Sequence, residues 1–368
     1  MERKYLIAIV AVVAVAIVAA GILASGALNP ANDPTVIRHT VIAPKDQEAA
    51  IQKGTVDGGV SWEPYVSDSV VAGTGKVLLH SADYWPNHPC CVIAVDREWA
   101  ADNPEVVMRF LKAHVEATEW IQQALAQPDS ENYTKLMSIG AAFSFRSTDV
   151  VEEATKHMHI EYNITEQSKS YLANYTQAYM DLNLIPKNKI GDMGYSSVED
   201  FVDKYVNTEY LEGIGSVQPT NEMTVVDVGY LAGDLHQFAR VVAEDSTILD
   251  GTPYEGKSIF EKYGIDTRTP VEGGYAVGGD VMTAFNMGQI KIGYLGSPPA
   301  ILRHLNNNIQ TEIVALANTE GSAIVVNEDI NSLEELGGKM IASPGPSSIQ
   351  YLFLLSVAQD NDLRVQLG

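Results

Sequence analysis

The sequence predicts an α/β protein of two lobes, preceded by a membrane-spanning helix. Three observations lead there. Short apolar strands alternate with helical runs from residue 35 onward, the pattern of largely parallel sheets. A fifteen-residue segment recurs, which points to two units on one plan. An uncharged apolar run, Leu6–Leu28, precedes both. The length of 368 residues is enough for two medium domains.

The apolar run is long enough to cross a ~30 Å hydrocarbon core as a helix. Arg3 and Lys4 precede it and no basic cluster follows, so the positive-inside rule leaves the remainder outside the membrane. A cleaved signal peptide, with Ser25-Gly26-Ala27 as its small-residue site, is the alternative, giving a secreted or periplasmic protein. A lipoprotein site would need a cysteine near Gly26, and none is there.

After Pro30–Pro34 the elements follow in order. Residues 35–43 read as a strand. Residues 46–53 read as a helix with Gly54 as its C-terminal cap. Residues 56–62, 77–80 and 90–95 read as strands. The segment 104–125 reads as an amphipathic helix whose buried stripe is Val107, Phe110, Leu111, His114, Ala117, Thr118 and Ile121. Further helices are expected over 149–159, 166–182 and 198–205, with 213–221 (GIGSVQPTN) as a linker. A second series follows: strands at 224–230, 290–295, 311–317, 323–327 and 339–342, and helices at 236–243, 299–305, 332–336 and 347–358.

The repeat aligns Ala50–Pro64 with Ala284–Pro298 without gaps. Each copy reads as helix, glycine cap, strand and a loop ending in proline. That loop lies at the C-terminal end of a strand, where open α/β sheets take ligands.

The net charge of −23 argues against a nucleic-acid partner, which wants a basic face. Patterns for serine hydrolases, zinc proteases and P-loop nucleotide hydrolases are missing. Ser297-Pro298-Pro299 and Ser343–Ser348 each open a helix after a strand, and such helix starts favour anions. Trp62-Glu63-Pro64-Tyr65 and Tyr84–Pro89 are aromatic-rich loops suited to lining a pocket. Asp234 reads as an N-cap beside His236. Cys90 and Cys91 read as small core residues on opposite faces of a strand, or as a strained vicinal disulfide. Without a nearby Cys/His set they make a poor zinc site. Asn132, Asn163 and Asn174 open glycosylation sequons in the helical middle.

The segments VDVGYLAGDLHQ, GGDVMTAFNMGQIKIGYLGSPPAILRHLN, NTEGSAIVV, LEELGGKMIASPGPSSIQ and AAIQKGTVDGGVSWEPY resemble substrate-binding proteins of ABC importers. The group is the nitrate/sulfonate/taurine and thiamine-precursor branch, and the resemblance covers most of residues 35–125 and 222–368. It implies a type II periplasmic-binding-protein-like fold that closes on a small solute and delivers it to an ABC permease with its ATPase. It implies no enzyme activity and no cofactor. A membrane-anchored sensor ectodomain and an extracytoplasmic enzyme on the same scaffold are the alternative functions. The implied ligand contacts are Tyr230, Asp234, His236, Ser297, Pro298, Asn318 and Glu320 from the first lobe. Ser347, Ser348, Gln350, Trp62, Glu63, Tyr84 and His88 come from the second. The helix starts favour an anion such as a sulfonate, nitrate or carboxylate.

The family's segment order is reversed in this chain, which reads as a circular permutation or as a fragment of a tandem array. The expected division is 1–30 for the cytoplasmic stub and anchor and 35–215 for second-lobe strands (35–95) followed by helices returning to the first lobe. Residues 222–344 form the first lobe and 345–368 the start of the second. Permutation further predicts that Gly368 and Asp33 lie close in space.

Overall fold

The computed structural model describes residues 33–367. The predicted anchor therefore lies outside the described residues, as does Gly368. Among the described residues no helix is long and apolar enough to cross a membrane.

The described residues form thirteen strands: β1 (Val36–Val41), β2 (Gly58–Trp62), β3 (Lys76–His80), β4 (Cys91–Asp96), β5 (Met158–His159), β6 (Thr224–Gly229), β7 (Ile265–Arg268), β8 (Ile292–Gly296), β9 (Thr311–Leu316), β10 (Thr319–Glu320), β11 (Ser322–Val326), β12 (Met340–Ser343) and β13 (Arg364–Leu367). They build one six-stranded sheet, β13-β1-β12-β2-β11-β3, and one five-stranded sheet, β7-β6-β8-β4-β9. The pair β5–β10 stands apart. In each large sheet one strand runs against its neighbours. β11 is antiparallel to β2 and β3, and β4 is antiparallel to β8 and β9. These are the two strands that enter directly from the opposite sheet, so each reversed strand marks a crossing between lobes.

The lobe boundaries consequently differ from the expected ones. β4 was assigned to the second lobe and β11 and β12 to the first, but each pairs with the other sheet. Residues 213–221 do not link lobes, because β6 joins the same sheet as β4 and β9. The crossings are Ser81–Cys90 and Ala317–Gly321. Sequence periodicity reports which face of a strand is apolar, not which sheet receives it, and that is why both boundaries slipped.

The repeated segments fold alike. β2 and β8 fall at the same place in the alignment, and each lies between one parallel and one antiparallel neighbour. The preceding helices, Pro44–Gln52 and Gly278–Asn286, end in Gly54 and Gly288 at φ +66° and +67°. This left-handed conformation is costly for any residue with a Cβ. The following residues close the caps identically: Thr55 N–H donates to Ala50 O at 2.9 Å, and Gln289 N–H to Ala284 O at 2.9 Å.

The helix Pro104–Leu125 packs on the five-stranded sheet through the predicted stripe. Val107, Phe110, Leu111, His114, Ala117, Thr118 and Ile121 are all buried. Proline at its first turn needs no N–H partner. Phe110 stacks 4.7 Å from Phe260, and the imidazole of His114 meets Tyr294 Oη at 3.2 Å and Leu316 O at 3.2 Å. The smaller core of the six-stranded sheet gathers Ile37, Val60, Ile324, Ile341 and Phe353. β13 lies parallel beside β1, Arg364 N–H donates to Thr35 O at 2.9 Å, and the Arg364 guanidinium pairs with Asp33 at 3.2 Å. The two ends of the described chain thus belong to one lobe and one sheet edge.

Candidate functional site

The crossings lie side by side and hold each other. Glu320 N–H donates to His88 O at 3.0 Å, and Ala317 N–H to Cys91 O at 2.9 Å. The Asn318 side chain accepts from Cys91 N–H at 2.9 Å and donates to Thr319 O and Glu320 O at 3.2 Å each. Glu320 adopts φ +64° and its carboxylate accepts from Asn87 N–H at 2.6 Å. The His88 ring meets Ser81 Oγ at 2.9 Å. His88, Asn318 and Glu320, expected as ligand contacts, lie on these two crossings between the sheets. Asn318 and Glu320 spend side-chain groups on crossing backbone, while the His88 Nδ1 is buried with no partner among the described residues.

The cleft between the lobes holds a cavity of about 50 Å³. One side is lined by Leu231, Asp234, Val277, Gly278, Gly279, Gly296 and Pro299, and the floor by Cys90 and Cys91. Trp62, Pro344, Ser347, Ser348, Ile349 and Gln350 face them from the other lobe. Three helix starts converge here: Gly278–Asn286, Ser297–Asn307 and Ile349–Asp360. The first N–H groups of a helix lack intrahelical acceptors and carry its positive end. Pro298 and Pro299 remove donors from the middle helix, so it contributes its dipole alone. Gly278 and Gly279 on one side, and Ile349 and Gln350 on the other, supply first-turn N–H groups. Ser348 caps its helix by accepting from Tyr351 N–H at 3.2 Å, and Gln350 donates to Ser322 Oγ at 2.8 Å. The glycine at 278 is dictated by packing, since a Cβ there would stand 2.6 Å from Pro299 Cγ.

Five of the expected contacts line this cavity: Trp62, Asp234, Ser347, Ser348 and Gln350. The indole N–H of Trp62 is buried with no partner among the described residues. Four more stand directly behind it. Ser297 N–H donates to Cys90 O at 2.8 Å, and Pro298 adjoins the lining Pro299. His236 meets both cysteines. Glu63 accepts from Ser67 N–H at 3.1 Å, while its other oxygen has no partner among the described residues. Two lie elsewhere. Tyr84 donates to Asp360 at 2.6 Å, and Tyr230 stacks 3.7 Å under the Arg240 guanidinium. Cys90, Cys91, Gly278, Gly279 and Pro299 were not expected in the lining. The glycine pair could have been found from its position at the start of the repeated helix.

The electrostatics of the floor are unusual. Asp234 Oδ1 accepts from His236 N–H at 2.9 Å, yet burial pushes the Asp234 carboxyl up to about 6. Burial also raises Glu63 to about 7. Burial pulls His236 down, but the opposing pull of Cys90, Asp234 and Glu63 wins and raises it to about 9. Cys90 is held well below the usual thiol range, first by the hydrogen bond from Cys91 and then by His236, while Cys91 is raised. The two sulfurs, expected on opposite faces, both turn to one imidazole. Cys90 precedes β4 and so escapes the alternation of the strand.

Bonds across the cleft hold the lobes together. Tyr65 Oη donates to Ala232 O at 3.0 Å, Tyr179 Oη donates to Ser348 O at 3.1 Å, and Arg146 pairs with Asp68 at 2.6 Å.

Comparison with known proteins agrees with this architecture. Residues 4–137 match the model of the NMT1-like family. A nitrate/nitrite binding protein NrtA from Nostoc is 25% identical over 195 residues, covering 50% of this chain and 43% of the relative. The NrtA of Synechococcus elongatus is 30% identical over 123 residues, 33% of this chain and 26% of the relative. A bicarbonate transport ATP-binding protein CmpC from Synechocystis is 27% identical over 123 residues, 33% of this chain and 17% of the relative. The chain thus spans less than half the length of each of these relatives. No solved structure matches it significantly. In its sequence segments and its mixed α/β lobes the chain is similar to these relatives, which supports a substrate-binding protein of ABC importers of the nitrate/sulfonate/taurine type.

Proposed function

We propose that this protein captures a small anion in the interlobe cavity and delivers it to an ABC permease with its ATPase. The observation that carries the reading is the convergence of helix starts from both lobes on one small cavity, with the unpartnered Trp62 N–H in its wall. Fixed N–H groups and helix dipoles solvate an anion without a basic side chain. The volume, about 50 Å³, suits a solute of a few heavy atoms. Since both lobes contact the anion only when the cleft is shut, binding favours the closed state. The NrtA relatives are named for nitrate and nitrite, and CmpC for bicarbonate, so these anions head the list of solutes.

The uncharged run Leu6–Leu28 supports an N-terminal anchor with the lobes outside the membrane. The reversed segment order, together with β13 lying beside β1, supports a permuted gene. Rejoining residues 222–367 ahead of 33–216 through a flexible linker tests the latter. A chain so ordered should fold and bind like the original.

Calorimetry on the full-length chain with nitrate, nitrite, bicarbonate and taurine tests the capture. Saturable binding of one solute per chain, with a raised melting temperature, is expected. No binding across the panel, with the fold intact, would sink the reading.

A further inference from the structure

Cys90, Cys91 and His236 form a cluster in the floor of the cavity to which the proposed anion capture gives no chemical role. All three are buried, and their ligand atoms lie within 4.8 Å of one another. Cys90 Sγ is 3.4 Å and Cys91 Sγ 3.9 Å from His236 Nδ1. A tetrahedral ion bound at ordinary metal–sulfur and metal–nitrogen lengths holds such donors about 3.5 Å apart. Asp234 Oδ2 stands 3.9 Å from Cys91 Sγ, outside this three-donor group.

The imidazole is aimed. His236 Nε2 meets Gly321 O at 3.2 Å, and a carbonyl can only accept, so Nε2 carries a proton and Nδ1 faces the sulfurs. Histidines bound to a metal are oriented through their second nitrogen in this manner. Gly321, at φ +83°, leaves no room for a Cβ beside that ring. The backbones that carry the sulfurs are fixed too, since Cys90 and Cys91 are tied to Ser297, Ala317 and Asn318. Plain packing of small buried thiols requires none of this alignment. The cavity touches Cys90, Cys91 and Asp234, which gives an ion its path inward.

We infer that Cys90, Cys91 and His236 bind one thiophilic metal ion, Zn²⁺ or Cu⁺, in the floor of the interlobe cavity. This goes beyond anion capture and holds whether or not a given anion binds.

The test uses the full-length chain in detergent, reduced and stripped by chelator. Zn²⁺ is titrated against a chromophoric chelator, and Cu⁺ against bicinchoninate. Co²⁺ serves as a spectroscopic probe. One ion per chain is expected, with thiolate-to-cobalt charge-transfer bands. Loss of a ligand in Cys90→Ser, Cys91→Ser or His236→Gln should weaken binding by at least about 100-fold, beyond the 10–100-fold typical of outer-shell changes. A cooperative melt of each variant shows that it folds. If a variant does not, intact-mass measurement of the folded wild type with and without metal gives the stoichiometry independently. The inference is overturned if the reduced wild type holds neither ion stoichiometrically. It is equally overturned if folded serine variants bind as tightly as the wild type.

Discussion

His114 makes stability fall in acid, by an amount that can be worked from its surroundings. It lies in the buried stripe of the helix Pro104–Leu125, between Tyr294 Oη and Leu316 O. Burial lowers its pKa from 6.5 to about 4. The native state therefore keeps it neutral between pH 6.5 and pH 4, while the unfolded chain takes up a proton. The unfolded state binds more protons in that window, so stability rises with pH there and is lost as pH falls through it. A 2.5-unit gap costs about 2 kcal/mol by pH 5 and about 3 kcal/mol by pH 4. Urea unfolding of wild type and His114→Leu at pH 7.5, 6, 5 and 4.5 checks this. His39 and His304 are also lowered to about 4 and titrate in both proteins, so they cancel in the comparison. Wild type should lose about 2 kcal/mol more than the variant between pH 7.5 and pH 5. Parallel curves would refute the assignment of a buried neutral imidazole at this position.

The other predictions concern packing, the crossings and closure. Phe110→Ala should destabilise the first lobe by about 3–5 kcal/mol, because it empties a contact with Phe260 and Tyr294 deep in the core; denaturant midpoints measure it. Gly278→Ala forces a Cβ against Pro299 and should cost about 1–3 kcal/mol while weakening solute binding, read by melting and calorimetry on one sample. Tyr179→Phe removes the bond to Ser348 O across the cleft, so the closed state should lose about 1 kcal/mol and solute affinity about fivefold, with the melting temperature of the solute-free chain little changed. Gly321→Ala should cost at least about 1–3 kcal/mol, combining a left-handed backbone with a collision at the His236 ring, and thermal melting would show it.

Local patterns carried far, and long-range pairing did not. The stripe from Val107 to Ile121 and the glycine-capped repeat were legible, because each is fixed by chain-local geometry. The helix start at Ser347 and Ser348 was legible for the same reason, since capping follows residue type. The crossings were not. Asn318 and Glu320 look like pocket residues by chemistry, and only the pairing of two distant crossings consumes their hydrogen bonds. Tyr84 and Tyr230 each meet a partner, Asp360 or Arg240, that no local pattern reveals. Cys90 and Cys91 depended on where β4 begins. One residue decides whether neighbouring sulfurs diverge or meet, and strand ends are poorly marked in sequence.

The central claim is that both lobes close on one small anion. Small-angle X-ray scattering of the full-length chain, with and without the anion that binds in calorimetry, tests it most directly. The account predicts a smaller radius of gyration on saturation, and weaker compaction in Tyr179→Phe at the same anion concentration. A saturated protein with unchanged dimensions, in which Gly278→Ala binds as tightly as wild type, would contradict it.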